Sequence, residues 1–294
     1  MLSSKEVIPI EYRKYYRNVT VAVVNFHAEW GNKRANLEKI KRYIERAHKE
    51  KVDLILFPEL ALTGAEVESE IKMHRELAEP IPGPTTIEMA EFSRKFNMYI
   101  VWGMPEIDRN NGLYYNTAVI VGPEGLLGVY RKIHPWVPER WCSKGSDYPV
   151  FETKFGPIGI GICYDNYFFP EVARIYALKG VRLYLNPTAV PVIEGFGVHD
   201  FIVHQLLARA GENLFYVASA DLVGKELTIK FAGYSLIAGP CHPKLSHIYA
   251  GPASMENEEM LIATLDLTDV HKARNTIPVF RDRRPETYIP LIQK

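Results

Sequence analysis

The chain has 294 residues, of which 47% are hydrophobic and 12% aromatic, and this composition excludes a wholly disordered protein. Its 35 basic and 35 acidic side chains cancel, and no basic stripe is present, which argues against a dedicated nucleic-acid binder. No apolar run of about 18 residues occurs, and residues 1–18 are too polar for the apolar core of a signal peptide, so no membrane partner is predicted.

Apolar patterns along the chain alternate between the strand period and the helix period. Residues 19–26 are β-branched and apolar like a strand covered on both faces, and residues 34–50 carry an apolar helical stripe. Further strands are predicted at 54–57, 98–104, 115–121, 129–133, 158–163, 183–186, 215–220, 232–238 and 261–265, and further helices at 85–96, 171–179 and 200–212.

This alternation, without repeats or Gly/Ser linkers, predicts one α/β domain over residues 1–294, with mixed sheets flanked by helices. Residues 275–294 contain three prolines and three arginines and cannot form a long regular element. We therefore expect them to form an extended C-terminal arm that lies across the domain or a partner subunit.

Two segments place a charged side chain at or near the end of an apolar strand. In ILFPELALTG, Glu59 follows the buried run that Pro58 ends, at the strand end where open α/β sheets bind ligands. In GVYRKIHPW, Lys132 lies on the same strand face as Tyr130. Taken singly, Glu59 also fits a salt-bridged surface residue, and Lys132 also fits a solvated edge residue.

A third segment, GPIGIGICYDNYFFPEVAR, ends an apolar strand at Cys163, before a polar turn and a helix. A nucleophile at such a turn is exposed and has backbone N–H groups nearby, although most cysteines are simply small buried hydrophobes. The glycines lie within the strand and do not form a dinucleotide-binding motif. The three cysteines are widely spaced, which is typical of free thiols in a reducing compartment, so we expect a cytoplasmic protein.

A thiol, a carboxylate and an ammonium at strand ends form a minimal set for hydrolysing an amide or a nitrile. FPEL at Glu59, YRK-x-H at Lys132 and GICYD…FPE at Cys163 resemble, in order and spacing, the three signatures of the nitrilase (carbon–nitrogen hydrolase) superfamily. RAGEN at 209–213 and the segment 261–288 also resemble this family, so the resemblance covers most of the chain.

The resemblance implies a four-layer α-β-β-α sandwich, a Glu59–Lys132–Cys163 triad and homo-oligomers that bury the C-terminal arm. It also implies a fourth catalytic-site residue, Glu139, although a salt bridge from Glu139 to Arg140 or Lys144 is the alternative. The implied activity is hydrolysis of a small amide or N-carbamoyl compound. CYD resembles the amidase-type branches, whereas true nitrilases usually carry Trp-Glu after the cysteine.

Substrate contacts are predicted at five positions, with the Tyr164 N–H as the oxyanion donor; the set is Tyr164, His134, Trp136, Phe168 and Thr188. His134 also fits a structural histidine, and some of the aromatic side chains belong to the core. The turn 164–169 is one residue longer than is usual in the family, and Asp221 stands where many members have Asn. Because of these two departures, the resemblance does not identify the substrate.

Neither a metal nor another cofactor is predicted. His199, Asp200 and His204 hint at a metal site, but the two histidines are five residues apart, which is poor spacing for one helical face. Three alternatives to an amidase remain: a nitrilase, a metal hydrolase that uses His199 and His204, and a non-catalytic binding member of the family.

Overall fold

A computed structural model describes residues 8–66 and 72–293. Residues 1–7 of the polar N-terminal segment, residues 67–71 and the last residue of the predicted arm lie outside the described residues. The helices are α1 Lys33–Lys49, α2 Lys72–Leu77, α3 Pro84–Phe96, α4 Tyr164–Phe168, α5 Pro170–Leu178, α6 Val198–Asn213 and α7 Thr268–Thr276. The strands are β1 Asn18–Asn25, β2 Leu54–Leu56, β3 Tyr99–Asp108, β4 Leu113–Gly122, β5 Gly125–Arg131, β6 Phe151–Thr153, β7 Gly156–Ile160, β8 Leu183–Thr188, β9 Tyr216–Asp221, β10 Val223–Glu226, β11 Ile229–Ala232, β12 Leu236–Cys241, β13 Lys244–Ala250 and β14 Glu259–Asp266.

Two six-stranded sheets and one small hairpin contain these strands. The first sheet has the order β14-β1-β2-β3-β4-β5, and the second has the order β13-β12-β9-β8-β7-β6. In each sheet three neighbouring interior strands are parallel, β1 with β2 and β3, and β7 with β8 and β9. Parallel strands present their carboxyl ends at one edge of the sheet, which is where ligand sites form in α/β proteins.

Alternate residues along the strands point to opposite faces of the sheets, and these faces form two separate buried cores. One core joins residues of both sheets, including Val21 and Leu56 of the first and Ile160 of the second. The other core packs the opposite face of the first sheet on α1 and α3, through residues such as Ile40 and Met89. Helices α5 and α6 pack on the second sheet. The fold is therefore the predicted four-layer α-β-β-α sandwich.

Three local predictions differ from the structure. The single strand predicted at 232–238 is wrong, because Gly233 and Tyr234 have φ angles of +68° and +60° and separate β11 from β12. The strand predicted to end at Cys163 ends at Ile160. The turn predicted after Cys163 contains the one-turn helix α4.

The C-terminal segment is irregular beyond α7, which itself includes the first two residues of the predicted arm 275–294. It continues through short 3-10 turns at Pro285–Thr287 and Ile289–Leu291. The Phe280 ring packs 4.9 Å from the guanidinium carbon of Arg274, and Leu291 is exposed. Among the helices of the described residues, none has the length and apolarity needed to cross a bilayer.

Candidate active site

Glu59 lies just beyond β2 in a loop held tightly against β3. The Phe57 N–H donates to the Val101 carbonyl at 2.8 Å, and the Gly103 N–H donates to the Pro58 carbonyl at 3.1 Å. A side chain at Gly103 would collide with the backbone of Glu59. The absence of a Cβ there lets the loop approach β3 and fixes the Glu59 carboxylate at the sheet edge.

Lys132 follows β5 and is only 1% exposed. Its backbone is held on both sides, by a 2.9 Å bond from its N–H to the Asn116 carbonyl and a 2.8 Å bond from the Gly145 N–H to its own carbonyl. Its Nζ atom lies 2.6 Å from Glu59 Oε1 and 2.5 Å from Glu139 Oε1. The ammonium is thus bonded between two buried carboxylates, and such a charge is stable only when it is fully paired.

Glu139 is buried in the loop after β5, and its ion-pair partner is Lys132 instead of the Arg140 or Lys144 that the sequence also allowed. The Trp136 N–H donates to Glu139 Oε1 at 3.3 Å. This arrangement holds the second carboxylate against the ammonium.

Asn116 is a site residue that the sequence analysis missed. Its Nδ2 atom donates to Glu59 Oε1 at 2.7 Å and to Glu139 Oε2 at 3.0 Å, so one amide joins both carboxylates. The available signal was an asparagine inside the apolar strand β4, because a buried amide needs hydrogen-bond partners.

Cys163 lies three residues beyond the end of β7, directly before α4. Its backbone has a φ of +46° and a ψ of −103°, which is a strained conformation for a residue with a side chain. The strain is maintained by a 3.0 Å bond from its N–H to the Pro187 carbonyl and a 2.9 Å bond from the Asn166 N–H to its carbonyl. The thiol is therefore fixed beside the N–H groups that begin a helix.

Asp165 connects the Lys132 segment to the Cys163 segment. Its buried carboxylate accepts bonds from the Tyr130 hydroxyl at 2.8 Å, the Ile162 N–H at 3.1 Å and the His134 N–H at 2.9 Å. His134 Nδ1 lies 2.8 Å from the same carboxylate, and the His134 ring stacks on Phe169 at 3.7 Å. This carboxylate fixes the relative position of the two segments.

Burial perturbs all three groups of the predicted triad. It raises the pKa of Glu59 to about 7, against the opposing effect of the Lys132 ammonium. It also raises the pKa of the Cys163 thiol well above its usual value, and the Glu59 carboxylate adds to that rise. Burial disfavours the Lys132 ammonium, but the carboxylates of Glu139 and Glu59 outweigh it and raise the pKa of Lys132. A neutral thiol near a carboxylate that titrates close to pH 7 is suited to proton transfer.

A cavity of about 250 Å³ opens onto Cys163, Glu59 and Glu139. Of the predicted substrate contacts, Tyr164, Trp136 and Phe168 line it. The lining residues that the structure describes do not include His134, which bonds to Asp165, or Thr188, which is buried at the end of β8 next to the lining residues. The structure thus brings three of the five predicted contacts to the cavity.

Two further predictions concern regions beside the cavity. Asp221 lies behind the cavity wall, where its Oδ1 atom accepts a 3.0 Å bond from the N–H of the lining residue Val190. His199 bonds to the exposed Asp200 at 2.9 Å. No group of three or more His, Cys, Asp or Glu side chains within residues 8–66 and 72–293 is placed to hold a metal ion.

Comparison with known proteins finds a matching family and similar proteins and structures. The family model described as carbon-nitrogen hydrolase matches residues 20–275. A Pyrococcus abyssi protein described as a nitrilase is 36% identical, over 92% of this chain and 99% of that protein. An N-carbamoylputrescine amidase of Solanum lycopersicum is 31% identical, over 94% of this chain and 95% of that protein. The crystal structure of a carbon-nitrogen hydrolase from Helicobacter pylori superimposes with a TM-score of 0.84 at 26% identity, covering 95% of this chain and 99% of that one.

Proposed function

Because the chain belongs to the carbon–nitrogen hydrolase family of the nitrilase superfamily, and is an enzyme of that type, we propose that it cleaves a non-peptide C–N bond of a small amide or N-carbamoyl compound through a thioester on Cys163. One observation carries the assignment. The Lys132 ammonium is bonded between Glu59 and Glu139 at the cavity that the Cys163 thiol lines.

In the first half-reaction, the Glu59 carboxylate takes the proton of the Cys163 thiol, and the sulfur forms a bond to the substrate carbonyl carbon. The carbonyl oxygen becomes an oxyanion, which the Lys132 ammonium and the Tyr164 N–H stabilise. The C–N bond then breaks, and Glu59 returns the proton to the departing nitrogen. Ammonia or an amine leaves, and the acyl group remains on sulfur.

In the second half-reaction, Glu59 accepts a proton from water as the water oxygen attacks the thioester carbon. The C–S bond breaks, and the thiolate recovers its proton from Glu59 as the acid leaves. A pKa near 7 suits Glu59 for both directions of transfer. Glu139 and Asn116 act as positioning residues that hold the ammonium and the Glu59 carboxylate.

A nitrile substrate is the second candidate, favoured by the description of the Pyrococcus abyssi relative. The sequence Cys163-Tyr164-Asp165 supports the amidase-type branch instead, and Asp165 accepts structural hydrogen bonds from three residues. An ammonia-release screen of short amides, N-carbamoyl amines and nitriles, with and without a chelator, separates these activities from a metal hydrolase and from a non-catalytic protein.

The nucleophile is tested with Cys163→Ala. We expect ammonia release to fall by at least about 10⁴-fold, with the circular dichroism spectrum unchanged, because the covalent route is lost. Mass spectrometry of rapidly quenched wild-type enzyme with substrate should show an acyl adduct on the peptide that contains Cys163. Retained turnover in the variant, or an adduct on Cys142 or Cys241 instead, would contradict the assignment; Cys142→Ala is the matched control.

A further inference from the structure

Among the lining residues that the structure describes, the charged side chains lie where the cavity meets the proposed triad. Within residues 8–66 and 72–293, Glu59 and Glu139 are the charged side chains that line it. The remaining lining is mainly aliphatic and aromatic, and its larger members include Phe168, Ile193, Phe196, Phe201, Ile229 and Phe231. A substrate group beyond the scissile bond therefore lies among apolar side chains.

Three of these rings, Phe168, Phe196 and Phe201, form what we call the aromatic wall. The Phe201 centroid lies 5.3 Å from that of Phe168 and 4.9 Å from that of Phe196, at interplanar angles of 34° and 55°. The Tyr167 ring adds a further contact with Phe201 at 5.5 Å. The rings pack against one another through Phe201 and present a continuous apolar surface to the cavity.

The charges at the other end of the cavity are already paired. Both lining carboxylates bond to the Lys132 ammonium, at 2.6 Å from Glu59 and 2.5 Å from Glu139. A carboxylate on the substrate would meet these two carboxylates, and the described lining residues supply no further cation. An ammonium on the substrate would have to compete with Lys132. Either charge would lie beside apolar side chains without a counter-ion among the described lining residues, and even a partial loss of its hydration is unfavourable.

We propose that the substrate carries an uncharged, apolar group beyond the scissile carbonyl, and that the enzyme discriminates against amides and ureas in which this group ends in a carboxylate or an ammonium. This inference rests on the proposed function and names its substrate class. The cavity volume of about 250 Å³ is just below the range of about 300–1,000 Å³ for drug-sized ligands, so the substrate is small.

The test uses pairs of substrates matched in shape. Hexanamide is compared with 5-aminopentanamide, 5-methylhexanamide with glutaramate, and pentylurea with 4-aminobutylurea. In each pair the two molecules have the same heavy-atom skeleton and differ in charge. We expect kcat/KM for ammonia release to be at least about 100-fold higher for the neutral member. A charged member turned over within threefold of its neutral partner, or faster, overturns the inference while leaving the proposed function intact.

Binding measurements distinguish an error in this inference from an error in the proposed function. Isothermal titration of the Cys163→Ala protein with each pair should give heat for the neutral member and little for the charged one, whether or not the wild type turns these compounds over. Tighter binding of the charged member contradicts the inference. If the binding preference holds but no compound releases ammonia, the proposed function fails and the apolar pocket remains.

A substitution at the cavity mouth sharpens the test. Ile193 lines the cavity and is half exposed, so polar replacements there are compatible with folding. Ile193→Asp should raise kcat/KM for 5-aminopentanamide, relative to hexanamide, by about fivefold over the matched Ile193→Asn variant, because it supplies the missing counter-ion. If the ratio of kcat/KM for 5-aminopentanamide to that for hexanamide is equal in the two variants, the cavity does not select substrates by the charge of their distal group.

Discussion

The triad end of the cavity and its aromatic wall differ in charge, in hydrogen bonding and in exposure. At the triad end, Lys132 and Glu59 are 1% and 3% exposed, and each is held by hydrogen bonds shorter than 2.8 Å. At the wall, Phe168 and Phe196 are 50% and 43% exposed and contribute rings instead of polar groups. The charged groups of the cavity are thus buried, whereas two rings of its aromatic wall reach the surface.

Charged side chains usually lie at the surface and aromatic ones in the interior, and the opposite placement in this cavity has a physical reason. Charges act strongly on one another when water is excluded, so a buried ammonium between carboxylates provides fields that a surface cluster would lose to solvent. The arrangement is stable only while every charge keeps its partner. The exposed wall contributes apolar area where the cavity reaches the surface. The two regions should therefore respond differently to substitution.

The largest effect is expected from Lys132→Met. This change removes the proposed oxyanion stabiliser and leaves two buried carboxylates facing each other. We expect ammonia release to fall by at least about 10⁴-fold and the free energy of unfolding to fall by about 3–5 kcal/mol at pH 7. Turnover is measured by ammonia release, and stability by urea denaturation.

Lys132→Arg is the control for this prediction, because it keeps the positive charge while changing its geometry. It should retain more of the stability than Lys132→Met does. A Lys132→Met protein as stable as the wild type would show that the stability of the triad end does not depend on paired charges.

The second effect concerns Glu59→Gln. With the pKa of Glu59 raised to about 7, the ionised base is lost as the pH falls below 7, so wild-type kcat/KM should decline about tenfold per pH unit on the acid side and level off above pH 7. The Gln variant should be about 10³-fold slower and lack this acid limb. The pH–rate profile provides the measurement.

Glu139→Gln is the matched control, since both carboxylates bond to the same ammonium. It should lower the rate while keeping the acid limb near pH 7. If Glu139→Gln abolishes the limb and Glu59→Gln keeps it, the two roles are exchanged.

The smallest effect is expected from Glu226→Gln, beside the apolar part of the cavity. Glu226 is buried and accepts bonds from the Ala65 N–H at 2.8 Å and the Glu66 N–H at 3.0 Å, and Ala65 lines the cavity. Burial raises the pKa of Glu226 to about 7. Because the folded-state pKa is the higher one, the contribution of this group to stability is full below the pKa of the unfolded chain and is lost as the pH rises through 7.

Between pH 5 and pH 8, the wild type should therefore lose on the order of 3 kcal/mol of unfolding free energy relative to Glu226→Gln, which keeps an acceptor oxygen but cannot ionise. Denaturation at the two pH values measures this difference. Glu226→Ala also removes the acceptor and should be less stable than Glu226→Gln at both pH values. Parallel pH dependence in the wild type and Glu226→Gln would show that this carboxyl titrates normally.

The sequence by itself determined the fold class and the positions at which Glu59, Lys132 and Cys163 follow apolar strands. Strand and helix periodicity depends on neighbouring residues, and the motifs are short and local, so both can be read along the chain. The same local reasoning was wrong for the strand predicted at 232–238, because the positive φ angles of Gly233 and Tyr234 interrupt a segment whose only local signals of a break are Gly233 and Ser235.

Only the tertiary structure decided which distant residues share the cavity. Asn116 joins two carboxylates that are 57 and 23 residues away in the sequence, and Glu226 bonds to a loop 160 residues away. His134 follows Lys132 by two residues, yet it bonds to Asp165 and does not line the cavity within the described residues. Side-chain contacts between distant segments depend on how the two sheets and their loops pack, and that packing leaves no periodic signal in the sequence.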